Sequence, residues 1–343
     1  MSRAYTAAQT EMSERTAIFS TAPQSRQSSP ERYPEQVIEV ARWSEAAGCE
    51  GMLIYTDNGL LDPWLLSTLV LEHTSTLRPL IAVQPAYMHP YSAAKMVSTL
   101  AYLHGRRVDL NLVAGGFRGD LIALGDETAH DDRYERVVEF TRVLKGLLDG
   151  ETVSLSGRFY NVSKLRLVPE LPSSLSPQLF VSGSSPAGLR AAELTGATAV
   201  GYPGRAEEEL SRPSLRTSGL RVGIIARASS QEAWALAHQR FPDDRKGQLA
   251  HALAMKSSDS HWHQRLSELG AGERAEDDPY WLWPFENYAT FCPYLVGEHR
   301  RVARELRRYM QAGHRTFILD IPACEEDLLH VRTAFELARS EQP

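Results

Sequence analysis

The chain is poor in cysteine. Only Cys49, Cys292 and Cys324 occur in 343 residues, far apart and without a CxxC pair. That excludes a zinc ribbon or a disulfide framework and suits a reducing compartment. No apolar run reaches the ~18 residues that a membrane span requires. The opening MSRAYTAAQTEMSERT also lacks the apolar centre of a signal peptide. A cytoplasmic protein without a membrane partner is therefore expected. Neither sign of charge dominates: 37 Lys and Arg against 43 Asp and Glu give a formal net charge of −6. Bulk charge thus offers nucleic acid no electrostatic footprint. What is present is ordinary globular usage, 43% apolar and 23% charged, enough for a large core without disulfide or metal staples. Composition alone says nothing about chemistry.

Residues 1–14 are small and polar and are expected to form a disordered leader, with one domain over 15–343. From Thr16 short apolar runs alternate with amphipathic segments. Thr16–Thr21, Gly51–Tyr55, Arg78–Gln84, Val108–Val113, Gln178–Ser182, Thr198–Tyr202, Arg221–Ala226 and Thr316–Ile321 are predicted strands. Helices are predicted over Pro34–Ala47, Pro63–His73, Ser92–His104, Arg133–Leu148, Pro186–Thr195, Ser230–Arg240, Val302–Ala312 and Glu325–Ala338. Asp131 or Asp132 is the expected cap of the fourth helix, and Ser230 of the sixth. Alternation near 151–170 predicts a hairpin insertion, and 243–290 is expected to be an irregular insertion. Such a rhythm predicts an α/β fold, a single (β/α)8 TIM barrel with insertions. The competing open doubly wound sheet wants a GxGxxG after its first strand, and residues 16–28 contain no glycine.

In a barrel the chemistry lies at the carboxyl ends of the strands. Those positions contain no HExxH or GxSxG. Phe180–Pro186 (FVSGSSP) is the sharpest feature. A strand end, then glycine, serines and proline at a helix start, suits a phosphate. A plain N-cap by Ser184 or Ser185 explains the same pattern equally well. His130 and Tyr134, four apart, share a helix face and together suit a phosphate or a flavin edge. The duller alternative is a capping region with Arg133 on a solvated face. The aromatic stretch Pro279–Tyr288 (PYWLWPFENY) reads either as a lid over a planar cofactor or as loop packing. His261 and His263 form a lone HxH without carboxylate company, a weak metal signal, and no metal is expected.

Taken together, several stretches resemble the bacterial luciferase-like flavin-dependent monooxygenases, closest to the alkanesulfonate monooxygenase branch. The matching segments are GMLIYTDNGLLDPW (51–64), 82–100 with His89–Pro90, GRRVDLNLVAG (105–115), HDDRYERVVEF (130–140), LLDGETVSLSGRFY (147–160), FVSGSSPAGLRAA (180–192) and 295–321. The resemblance implies a (β/α)8 barrel that binds reduced FMN, uses O2 as co-substrate and draws its flavin from a separate NAD(P)H-dependent reductase. A homo-oligomer, most simply a homodimer, is implied as well. Matched by position, Ser184, Ser185 and Tyr134 look like the phosphate ligands with His130 beside them, while Asp57, Gln84 and Asn111 line the isoalloxazine ring. No catalytic residue is assigned; Arg221, Asn111 and Tyr288 are the candidates.

The departures narrow the substrate. The branch's cysteine after strand two falls on Leu60, and its histidine after the phosphate loop falls on Gly223. Its last-strand tyrosine falls near Ile321 and its mobile-loop arginine near Tyr288; only Arg221 matches. A simple alkanesulfonate is therefore not the expected substrate. Two other readings share this fold: an F420-dependent oxidoreductase and a non-catalytic flavin-binding protein.

Overall fold

The computed structural model describes residues 16–116, 118–211, 218–257, 266 and 278–340. The expected leader 1–14 and the pair His261 and His263 lie outside the described residues. Eight parallel strands close on themselves. They are β1 (Ala17–Thr21), β2 (Gly51–Ile54), β3 (Arg78–Val83), β4 (Asp109–Val113), β5 (Leu179–Ser182), β6 (Thr198–Gly201), β7 (Gly219–Arg227) and β8 (Thr316–Leu319). Each pairs with the next, and β8 returns to β1 with Ala17 opposite Thr316. The fold is the (β/α)8 barrel that the strand rhythm implied. All four residues of β2, and likewise of β8, are buried, as expected for strands enclosed on both faces.

Inside the barrel Phe19, Leu53, Leu80, Phe180, Val200 and Ile318 form one cluster. Phe19 meets Phe180 edge to face at 5.6 Å, so side chains rather than solvent fill the interior. The helix Tyr33–Ala46 buries Val37, Val40, Ala41 and Ser44, spaced along one face. The hairpin expected near 151–170 is present as Val153–Ser156 against Asn161–Leu165.

Several local expectations need correction. The fourth predicted helix begins at His130 and not at Arg133, and Ala129 precedes it without a side-chain cap. Asp131 and Asp132 lie within its first turn, where they suit the helix dipole. The Asp132 carboxylate is engaged by Arg158 of the hairpin at 2.7 Å. Arg133 is buried, not solvated, and donates to the Thr128 carbonyl at 3.1 Å. Ser229, not Ser230, caps the helix Ser230–Arg240 by accepting the Glu232 N–H. The stretch expected to be irregular holds a helix, Arg245–Ser257, a short strand, Tyr280–Trp281, and a helical turn, Trp283–Glu286. A strand over Tyr294–Glu298 was not expected. It runs parallel to the upper half of β7, pairing Tyr294 with Gly223 and Glu298 with Arg227. Through that pairing β7 runs longer than its barrel neighbours. Among the described residues, no helix is long and apolar enough to cross a membrane.

Candidate active site

One large cavity opens at the carboxyl ends of the strands. Asp57, Gln84, Asn111, His130, Tyr134, Ser184 and Ser185 all line it, although they come from separate strand ends and one helix.

The first pole is built where β5 turns into the helix Pro186–Thr195. Gly183 has φ +150°, and a Cβ there would stand 2.2 Å from the Tyr134 hydroxyl oxygen. Glycine is thus needed both for the backbone angle and for the close approach of the phenol. Tyr134 Oη donates to the Ser182 carbonyl at 3.4 Å. Its ring meets the His130 ring at 5.3 Å, edge to face, so the shared helix face expected for this pair is formed. The His130 Nδ1 is bridged to Asp131 at 2.7 Å. Ser185 accepts the Gly188 N–H at 3.1 Å and is buried. It is therefore the N-cap, and the partly exposed Ser184 presents the nearby hydroxyl to the cavity. Cap and anion cradle are not exclusive here, because Ser185 serves as the cap and the Ser184 hydroxyl is left at the cavity.

Between the poles, Asn111 accepts the Ser182 hydroxyl at 2.9 Å, and Gln84 is buried at the cavity wall. These amides offer both donors and acceptors to a flat heteroaromatic edge. Asp57 accepts the Gly59 N–H at 2.7 Å and pairs with Arg26, which holds the turn after β2. Neutral hydroxyls at a helix start, buried amides in the middle and a glycine cradle form a donor set that fits a flavin mononucleotide.

The second pole surrounds Arg221, whose side chain is 13% exposed. The guanidinium lies 5.2 Å over the Tyr55 ring and engages the Tyr202 hydroxyl. Asp320, just past β8, stands 3.9 Å from it. Tyr294 donates to the Asp320 carboxylate at 2.8 Å, and Thr290 donates to the same oxygen. Burial pushes the Tyr202 phenol up to about 12 and the Cys292 thiol well above its ordinary range, so both stay protonated.

Tyr288, the third catalytic candidate, is not in the cavity wall. It packs edge to face on Phe291 at 5.6 Å, and Phe291 is the residue that reaches the cavity. Of the aromatic stretch before it, Tyr280, Trp281, Leu282 and Phe285 are buried in the core, which is the packing alternative. Sequence reasoning passed over Tyr55 and Phe291 as site residues. Tyr55 directly follows β2, where the strand-end rule finds it; Phe291 carried no local signal.

Comparison with known proteins shows the family and supports the barrel fold. The family model described as luciferase-like monooxygenase matches residues 15–316. A relative, 4-(gamma-L-glutamylamino)butanoyl-[BtrI acyl-carrier protein] monooxygenase BtrO of Niallia circulans, is 35% identical over 307 residues, 87% of this chain and 89% of its own. Among solved structures, EDTA monooxygenase EmoA from Chelativorans sp. BNC1 superposes with a TM-score of 0.72 at 16% identity, covering 96% of this chain and 95% of that one. Riboflavin lyase RcaE gives 0.75 at 15% identity, with 96% and 94% covered. The family match runs from β1 to the start of β8, the full circuit of the barrel, and the chain belongs to the luciferase-like monooxygenase family.

Proposed function

We propose that this chain is an FMNH2-dependent monooxygenase of the two-component kind, fed by a separate NAD(P)H-dependent flavin reductase and using O2 as co-substrate. The observation that carries the reading is the convergence of Ser184, Ser185, Tyr134, His130, Gln84, Asn111 and Asp57 on one barrel-mouth cavity. Reduced FMN, when bound, supplies the electrons for oxygen activation. The chain's own residues do the rest. Ser184, the capped helix start and Tyr134 hold the phosphate, with His130 beside them. Gln84 and Asn111 orient the ring edge, and the buried walls keep water from the reacting centre.

The substrate class follows from the relative. BtrO is named for an acyl group on an acyl-carrier protein. Identity of 35% across nearly the whole of both chains supports an acyl thioester here, and not a simple alkanesulfonate. The protein acts in the cytoplasm as a homodimer. The last turn of the helix Pro90–His104 leaves Tyr102 and Leu103 exposed at 78% and 67%, apolar surface that a second copy would cover.

The test is an anaerobic titration with FMNH2, followed by O2 in the presence of a butanoyl thioester. Flavin binding with thioester-dependent oxygen uptake and a product carrying one added oxygen atom is expected. Uptake that yields only hydrogen peroxide overturns the substrate class. No uptake with any acyl thioester favours a non-catalytic flavin-binding protein. Absence of FMNH2 binding alongside tight binding of reduced F420 replaces the cofactor.

A further inference from the structure

Arg221 is the cation of the cavity's second pole, and it is compensated in an unusual way. Asp320 stands 3.9 Å from its nearest guanidinium nitrogen, close enough to cancel charge but too far for a hydrogen bond. Both side chains are largely buried, at 13% and 11% exposure, so the pairing is not screened as a surface pair would be. One Asp320 oxygen is occupied by Tyr294 and Thr290; the oxygen nearest Arg221 is the other. Among the described residues, Arg221 Nε has no hydrogen-bond partner. Asp320 thus neutralises the arginine without itself taking any of its hydrogen-bond donors.

From this we infer that Asp320 is a specificity-determining residue: it makes the Arg221 pole select a neutral hydrogen-bond acceptor, such as a thioester or amide carbonyl, and reject an anion. The inference rests on the monooxygenase reading above and narrows its substrate. An anion entering this pole would lose its hydration and meet a pair of net charge zero, with Arg221 at the cavity wall and the Asp320 carboxylate 3.9 Å behind it. A carbonyl oxygen gives up far less hydration and still receives a charge-assisted hydrogen bond from the guanidinium. The Tyr55 ring under Arg221 keeps the guanidinium plane fixed, and Tyr294 and Thr290 keep the carboxylate where it is. Asp320 therefore acts through Arg221 as a positioning and charge-setting residue, and no step of the oxygenation is assigned to it.

The test compares two ligands of one shape and different charge, hexanamide and hexanoate, titrated calorimetrically into the full-length, FMN-loaded protein. Wild type is expected to bind hexanamide at least about tenfold more tightly than hexanoate. Asp320→Asn keeps the shape of the side chain and removes its charge. It should shift the ratio toward hexanoate by about tenfold or more while FMN affinity stays the same. Tyr294→Phe removes one donor to Asp320 but leaves the charge, and should leave the ratio unmoved. A wild-type preference for hexanoate overturns the inference, and this holds even if Asp320→Asn fails to fold. An Asp320→Asn ratio equal to wild type overturns it as well. Binding of neither ligand by a protein that oxygenates a butanoyl thioester also counts against it. Because these titrations need no turnover, failure of the monooxygenase reading shows separately, in the oxygen-uptake measurement.

Discussion

The Tyr294 ring occupies the space that a side chain on Gly223 would need. A Cβ at Gly223 would stand 2.3 Å from two of the ring's carbons, and the two residues are directly paired across parallel strands. Gly223 is where the alkanesulfonate branch was expected to carry a histidine. Here the bulk comes instead from the neighbouring strand, as a phenol directed at Asp320. Burial raises the Tyr294 hydroxyl well above its ordinary range, so it remains a donor across the working pH.

Gly223→Ala should therefore cost about 1–3 kcal/mol of stability, the usual range for overfilling a packed core. Denaturant unfolding measures it. In a Tyr294→Ala background the same substitution should cost much less, because the two effects share one volume. Additive losses in the double variant would show that the ring is not what excludes a side chain.

Much of this molecule is legible in the sequence, and the rest is hidden for identifiable reasons. Runs such as GMLI and TFIL are legible as barrel strands because a strand covered on both faces buries every residue, and each run is too short for a buried helix. Ser184 and Ser185 are legible because phosphate sites and helix caps use the same residues. The strand Tyr294–Glu298 is hidden because five residues ending in Gly-Glu look like a loop; only pairing with the overlong β7 makes them a strand. Asp320 sits at a strand end that the barrel rule marks. Its partners, Arg221, Tyr294 and Thr290, lie 26 to 99 positions away, and no local pattern links them.

The phosphate pole is tested by Ser184→Ala combined with Tyr134→Phe. If each removes a charge-assisted hydrogen bond, FMNH2 affinity should fall by roughly 2–4 kcal/mol in an anaerobic titration. Ser185→Ala should act differently. It removes the cap on the Gly188 N–H, so about 0.5–2 kcal/mol of stability should be lost along with some affinity. Unchanged FMNH2 binding in the double variant would move the phosphate elsewhere in the cavity.

The exposed apolar face offers a direct reading of assembly. Tyr102→Glu with Leu103→Glu places two charges where both side chains already face outward, so the monomer should lose little stability. A homodimer that uses this face should dissociate, and light scattering after size exclusion would show halved mass. A variant that keeps the wild-type mass would remove this helix turn from the interface.

The entry to the helix that carries His130 and Tyr134 is fastened by Asp126. Burial works to raise its carboxyl, but hydrogen bonds from Arg136, at 2.6 Å, and from Thr128 outweigh it and lower the pKa from 3.8 to about 2. A depressed folded-state pKa stabilises the protein above the unfolded value, and that contribution disappears as pH falls through the folded value. Asp126→Asn should thus be less stable than wild type at pH 7, by about 1–2 kcal/mol after allowing for partial solvent exposure. The gap should close as pH falls from about 4 to about 2. Urea unfolding of both proteins across that range measures it. A gap of constant size would mean that the Asp126 charge is not what fastens the helix, and that Arg136 holds the turn through its packing alone.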